Sequence, residues 1–341
     1  MNTVQIKDNL NFLSKLTVRR TVNALRLLSS YYVSKSIKSN FHSGNPISVS
    51  IEPTTSCNLQ CPECPSGLRQ FTRPTGMLKM DLLKETIDQL YKDLLYLTFY
   101  FQGEPYLNPD FLDMVKYASG KGIYTCTSTN AHYLTKEIAE RTVASGLDRL
   151  IISIDGTTQE VYEQYRVGGT LNKVLRGTKE IIKAKRKANS NTPHLIFQFL
   201  VVRPNEHQVG EIKKLAQEIG VDQVKFKTAQ IYDYENGNDL IPTIDEFSRY
   251  KLNGNGKYHL KNKLLNECWK MWHSCVITWD GKVVPCCFDK DAHHQLGDLK
   301  SERFSKLWKS DAYNQFRASL LKSRKEIDIC RNCTEGTKVW A

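Results

Sequence analysis

The sequence predicts an α/β protein: parallel βαβ units followed by a small cysteine-rich region. Two observations carry this. Strand-like and helix-like runs alternate from Pro46 to about Lys227, and the alternation then stops where six of the ten cysteines gather, between Cys268 and Cys333. The chain has 341 residues, 40% hydrophobic and 25% charged, so it can bury a core and falls outside the disordered class. Its apolar runs are short. Leu147 to Ile154 is broken by Asp148 and Arg149, far below the roughly 18 apolar residues that a spanning helix needs.

Residues 1–45 read as a basic helical arm. Seven Lys and Arg stand against Asp8 alone in residues 1–40, half of the formal charge of +12. Phe12, Leu13, Leu16, Val22, Leu25, Leu28 and Tyr32 recur near helical spacing. The arm therefore either contacts a membrane surface or acidic partner, or lays its apolar stripe on the main body with its charges solvated. No helix-turn-helix, zinc-finger or RNP pattern accompanies the charge, so no nucleic-acid partner is expected.

Ile47, Val49 and Ile51 alternate with Ser48, Ser50 and Glu52, the first strand signal. Further strands are predicted at Tyr96 to Phe101, Ile123 to Ser128, Arg149 to Ile154, His194 to Val202 and Gln223 to Lys227. Helices are predicted between them at Asp81 to Leu94, Asp110 to Ser119, Thr135 to Ser145, Leu171 to Ala188 and Glu206 to Ile219. Such units close into a full or partial barrel or lie in an open sheet, and chemistry collects at the strands' carboxyl ends either way. Beyond Lys227, Asp280-Gly281 between Val276 to Trp279 and Lys282 to Pro285 signals a hairpin, and a helix is expected from Glu302 to about Leu321. The expected divisions are an arm at 1–45, a βα body at 46–230, and a linker with a metal-stapled domain at 231–341.

The first 25 residues have no unbroken apolar segment and no small-residue cleavage site, so the chain is expected in a reducing cytoplasm. There, closely spaced cysteines read as metal ligands or catalytic thiols. Cys57, Cys61 and Cys64 follow the first strand within eight residues. A structural zinc site closes with four ligands, and neither a His nor a fourth Cys lies nearby. Three thiolates on a four-iron cluster would leave one iron open to a substrate or cofactor.

The C-x3-C-x2-C spacing after a first strand resembles the radical S-adenosylmethionine (radical SAM) family. Gln102-Gly103-Glu104-Pro105 after the second strand is similar to the family's Gly-Gly-Glu-Pro motif, which orients the methionine amino group. Ser128-Thr129-Asn130-Ala131 ends the third strand where members often have Thr-Asn-Gly. Ser153-Ile154-Asp155-Gly156 ends the fourth, followed by Tyr162 and Arg166, a pattern resembling the family's ribose and carboxylate contacts. The sequence departs from the family at Glu63, commonly aromatic, at Gln102 and at Ala131. The resemblance covers about residues 46–230 and implies an incomplete (β/α)6 barrel. It also implies a SAM-binding [4Fe-4S] cluster on Cys57, Cys61 and Cys64, and SAM contacts at Gln102, Gly103, Glu104, Pro105, Asn130, Ser153, Asp155 and Arg166. An electron donor such as flavodoxin or ferredoxin is implied too. Reductive cleavage of SAM would give a 5′-deoxyadenosyl radical that abstracts a hydrogen atom from substrate.

In the last 75 residues, Cys268 and Cys286 flank the hairpin and Cys330-Arg-Asn-Cys333 follows. Spacing alone suits zinc or a second iron–sulfur cluster. The run Gly281 to Cys287, Leu307-Trp308, Phe316-Arg317 and the terminal C-x2-C resemble the SPASM group of the family. Six cysteines instead of seven imply the shortened form with one auxiliary [4Fe-4S] cluster, on Cys268, Cys286, Cys330 and Cys333. Neighbouring strand residues face opposite ways, so Cys287 is an alternative to Cys286. Cys126 reads as a buried hydrophobe, Cys275 as inert or as a second alternative ligand or hydrogen donor, and His293 and His294 as exposed. A fully ligated auxiliary cluster suits electron transfer, which implies oxidation of a small molecule. The 45 residues before the barrel are short for a peptide-recognition domain, yet peptide modification is the alternative, and a non-catalytic zinc protein with a basic arm is the alternative from another class.

Overall fold

The computed structural model describes residues 3–339. Two helices lead, α1 (Thr3–Ser14) and α2 (Val18–Ile37), the second capped by Thr17, whose hydroxyl accepts from the Arg20 amide at 3.2 Å. The βα body follows as β1 (Ser48–Ile51), α3 (Pro65–Leu68), α4 (Met80–Leu90), β2 (Tyr96–Thr98), α5 (Phe111–Gly120) and β3 (Tyr124–Thr129). It continues as α6 (Lys136–Ala144), β4 (Arg149–Ser153), α7 (Gln159–Tyr165), α8 (Leu171–Lys187), β5 (His194–Val201), α9 (Val209–Ile219) and β6 (Gln223–Thr228). Thr135 and Thr158 cap α6 and α7 through their side chains, so those helices start where the sequence offers an oxygen to the orphan amides.

β1 to β6 lie side by side in chain order, every pair parallel. The sequence-predicted alternation of strands and helices is thus a parallel sheet wound in one direction. Along each strand one set of side chains meets the helices: Val49 and Ile51, Leu97, Leu150 and Ile152, Leu195 and Phe197 are all buried in the main core. Each such side chain contributes roughly 1.5–3 kcal/mol by leaving water. The alternate set faces the inside of the curve and mixes the polar Ser50, Thr98, Ser128, Ser153 and Gln198 with the apolar Cys126, Ile151, Ile196 and Leu200.

The C-terminal region is joined to this sheet. After a short antiparallel pair, β7 (Tyr250–Leu252) and β8 (Tyr258–Leu260), come α10 (Trp269–His273), β9 (Ser274–Ile277), β10 (Lys282–Val284) and β11 (Gly297–Asp298). β9 runs parallel to β1, in register from Ser48 opposite Ser274 to Ile51 opposite Ile277. β10 and β11 extend the edge antiparallel, giving nine strands in the order β11-β10-β9-β1-β2-β3-β4-β5-β6. The hairpin expected around Asp280-Gly281 forms, with Gly281 at φ 91°. The single helix expected from Glu302 is two, α11 (Phe304–Leu307) and α12 (Asp311–Ser323), because Ser310 caps a new start, accepting from the Tyr313 amide. α13 (Asp328–Arg331) ends the fold.

The arm closes the amino-terminal end of the strands. Asp8 pairs with Arg149 at the start of β4 and accepts from the Tyr124 hydroxyl, while Phe12 meets the Tyr124 and Tyr96 rings at 5.3 and 6.3 Å. Arg20 is buried and donates to the carbonyls of Tyr91 and Gly122, the ends of the α4 and α5 segments. The sequence expectation that the apolar stripe packs inward holds for Phe12 and Leu28 only. Leu13, Leu16, Val22, Leu25 and Tyr32 are exposed, since the inward face of α2 is taken by Arg20, Asn23, Leu27, Ser30, Tyr31 and Ser34. Among the described residues, no helix is long and apolar enough to cross a membrane.

Candidate functional site

The loop after β1 carries Cys57, Cys61 and Cys64, all free thiols, into a cleft of about 230 Å³ at the carboxyl ends of the strands. Two glycines hold the loop in shape. A Cβ on Gly67, in α3, would lie 2.6 Å from the Cys61 amide nitrogen, and one on Gly103 would lie 2.2 Å from the Thr54 carbonyl oxygen. Gly103 also has φ 73°, which favours glycine. Its amide donates to Ser66 Oγ at 2.9 Å and the Glu104 amide to the Ser56 carbonyl at 2.7 Å, so the loops after β1 and β2 are tied together.

Glu104 is the best-anchored polar group of the cleft. One carboxylate oxygen accepts from Thr129 Oγ1 at 2.7 Å and the other from the Asn130 amide at 2.7 Å. Burial nevertheless pushes its carboxyl up to about 7, partly offset by those donors. A cationic group in the cleft would restore the ionised form. Asn130 Nδ2 donates to Asn58 Oδ1 at 2.8 Å and reaches Cys57 Sγ at 3.9 Å. Across the cleft, Arg166 holds Asp155 at 2.5 Å and points Nη1 toward Cys61 Sγ at 3.7 Å. The second Asp155 oxygen accepts from the Leu200 amide at 2.7 Å, and Asn205 donates to the Asp155 carbonyl at 2.9 Å.

Of the residues singled out in the sequence, Cys57, Cys61, Cys64, Gly103, Glu104, Asn130, Ser153 and Arg166 line this one cleft. Asp155 stands behind Arg166, wholly buried with both oxygens engaged. Gln102 and Pro105 are buried beside the cleft without lining it. Ser66, Gly67, Asn58 and Asn205 went unnoticed in the sequence, although Gly67 lies within three residues of the last thiol and offered the one local signal.

Cys268, Cys286, Cys330 and Cys333 line a second cavity, beneath α10 and α12. Arg324 Nη2 donates to Cys333 Sγ at 3.0 Å and to the Glu335 carbonyl at 2.7 Å, supplying positive charge where thiolates would gather. Gly336, at φ 87°, approaches Cys268 so closely that a Cβ would lie 2.5 Å from its sulfur. Burial pushes the Cys57 and Cys330 thiols up to about 11 each, so both sets need a cation to become thiolates. Among the described residues no group of three or more His, Cys, Asp or Glu side chains is spaced for a single metal ion. The three-thiol and four-thiol sets each rim a space instead, and all-sulfur donors around a shared void suit an iron–sulfur cluster.

Cys287 is exposed and off the lining of the second cavity. Cys275 is buried on the helix side of β9, where Tyr313 and Arg317 act on it. Cys126 is buried in β3. His293 is exposed as expected, whereas His294 is partly covered and meets Asp328 at 2.6 Å. Lys290 donates to the Tyr232 hydroxyl at 2.6 Å, Lys270 pairs with Glu335, and Arg249 holds Thr228 while its buried Nη1 has no partner among the described residues.

A sequence profile of the Radical SAM superfamily matches residues 51–216, and one of the SPASM iron–sulfur cluster-binding domain matches residues 268–334. The chain is 26% identical over 302 residues to the tungsten-containing aldehyde ferredoxin oxidoreductase cofactor-modifying protein of Pyrococcus furiosus, covering 78% of this chain and 82% of that one. It is 28% identical to the PqqA peptide cyclase of Bradyrhizobium diazoefficiens, covering 81% and 76%. Among solved structures, BtrN in complex with AdoMet and 2-DOIA superposes with a TM-score of 0.53 at 18% identity, covering 86% of this chain and 95% of that one.

Proposed function

Because the chain belongs to the radical SAM superfamily and carries a SPASM iron–sulfur cluster-binding domain, we propose that it is an oxidoreductase that dehydrogenates a small molecule. When bound, the SAM-binding [4Fe-4S] cluster with SAM would supply a 5′-deoxyadenosyl radical to remove one hydrogen atom, and one auxiliary [4Fe-4S] cluster would supply the acceptor for the remaining electron as the second hydrogen leaves as a proton to solvent. Cys57, Cys61 and Cys64 hold the first cluster, and Cys268, Cys286, Cys330 and Cys333 the second. Flavodoxin or ferredoxin serves as electron donor, in a reducing cytoplasm that keeps the ten cysteines out of disulfides.

The observation that carries this reading is the division of thiols: three on an open cleft beside Glu104 and Arg166, four around a separate cavity. Glu104 receives the SAM amino group, the cation its carboxyl lacks, and Gly103 lets the backbone come close. Arg166 faces the SAM carboxylate, and Asp155 holds Arg166 in place. Ser153 and Asn130 line the cleft where the ribose sits. Ser128 and Ser153 on the inner face of the sheet offer hydroxyl groups to a hydroxylated substrate. A second reading, modification of a peptide, is favoured by the likeness to the PqqA peptide cyclase.

The test is anaerobic incubation of the iron-loaded protein with SAM, reductant and fractionated cell extract. The expected result is a product lighter by two hydrogens, formed in step with 5′-deoxyadenosine. Product formed in a peptide fraction alone supports the second reading. A colourless protein that takes up zinc and no iron overturns both.

A further inference from the structure

The polarity of the arm is inverted. α2 turns Arg20, Asn23, Ser30 and Ser34 inward with Leu27 and Tyr31, and turns Val18, Val22, Leu25, Val33 and Ile37 outward. Val18, Val22 and Leu25 follow one another at helical spacing, and Val33 and Ile37 resume it beyond the exposed Ser29. α1 does the same: Asp8 is buried in its pair with Arg149, while Ile6, Leu10 and Leu13 are exposed, and Leu16 continues the apolar surface toward Val18. Leu10, Leu25 and Ile37 are each more than half exposed, at 59, 57 and 58%. Scattered apolar residues on a surface need no explanation, but exposed apolar residues recurring at helical spacing along two successive helices do.

Charge narrows the occupant. Lys15, Arg19 and Lys35 are answered by Asp148, Asp93 and Glu267. Lys7, Arg26 and Lys38 are exposed and have no acidic partner among the described residues, and Asp8, the arm's one acid, is buried. A second copy would bring the same cations face to face. Stable protein interfaces are anchored by Trp, Tyr and Arg, with Leu and Val under-represented, whereas this stripe is mostly Val, Leu and Ile. An apolar helix face flanked by unpaired cations suits the headgroup boundary of an anionic bilayer.

We propose that the outward face of α1 and α2 docks the protein reversibly on an anionic lipid surface. The arm closes the amino-terminal end of the strands and the cleft opens at the carboxyl end, so docking leaves the cleft facing away from the bilayer. The proposal is independent of the reaction catalysed.

The test uses the full chain, purified anaerobically, sedimented with phosphatidylcholine vesicles with and without phosphatidylglycerol. The expected result is binding to the anionic vesicles, weaker by about tenfold or more without phosphatidylglycerol and weakened by salt. Val22→Ser with Leu25→Ser and Val33→Ser abolishes binding, and Arg26→Glu with Lys38→Glu weakens it by about tenfold, both with unchanged SAM cleavage. Protein that stays in solution with anionic vesicles, or binding that survives the serine substitutions, overturns the proposal. So does a stable dimer that the same substitutions dissociate, since the stripe would then be an interface between copies.

Discussion

Glu104 shows how one side chain joins stability to binding. Its folded carboxyl is lifted from the ordinary 4.5 to about 7 by burial. The folded state therefore holds its proton more tightly than the unfolded one, and this contribution is fullest below about 4.5 and is lost as pH rises through about 7. Against Glu104→Gln, the SAM-free, metal-free wild type should lose about 1–3 kcal/mol across that window, read from urea midpoints at both ends. Near neutral pH the same substitution should weaken SAM binding by about tenfold or more, because Gln offers no charge to the amino group. Equal SAM affinity would contradict the role assigned to the carboxylate. At the second cavity, Arg324→Gln leaves the Glu267 and Glu335 carbonyls and the Cys333 sulfur without their donor. It should strip iron from that cavity while SAM cleavage continues, checked by iron content against 5′-deoxyadenosine yield; full iron retention would make Arg324 incidental.

Among the elements, α3 is a single short turn of four residues held against the first thiol loop. Gly67→Ala puts a methyl group against the Cys61 backbone, which cannot swing aside as a side chain could. Iron at the first site should fall with the second site intact, measured as iron per chain beside loss of SAM cleavage; unchanged iron would show that the loop can yield. The contact joins residues six apart through a turn, so only the sulfurs were legible in the sequence. The first strand was legible because Val49 and Ile51 alternate with serines, and the later ones because short apolar runs such as Leu150 to Ile152 and Leu195 to Phe197 stand between helix-like stretches. Pairing of β9 with β1 left no local trace, since neither strand's sequence names its neighbour. Nor could spacing choose between Cys286 and Cys287: which one faces the cavity depends on how the chain turns after β10. The arm's inversion was hidden for the same reason. Periodicity finds an apolar stripe but not the side on which polar residues will find carbonyls to bond.

For the whole molecule, the arm and the C-terminal region close the sheet's two vulnerable places. Asp8→Ala leaves Arg149 without its counter-charge at the closed end of the strands and should cost about 1–3 kcal/mol, seen as a lower urea midpoint with SAM cleavage per iron retained. No change in midpoint would mean that Arg149 finds water or another partner. Ending the chain at residue 230 strips β9 from β1 and bares a central strand edge, so the truncated body should aggregate instead of folding as a soluble barrel. Light scattering of the purified fragment decides this, and a monodisperse fragment with normal helicity would contradict it. The β1–β9 pairing also has a consequence for synthesis. The ribosome releases β1 early and β9 late, so the strand that carries the first thiol loop stays half-paired while nearly all of the remaining chain is made. A chain that stalls before β9 therefore presents an open edge of β1 to chaperones, with the thiol loop that follows β1 not yet held from that side.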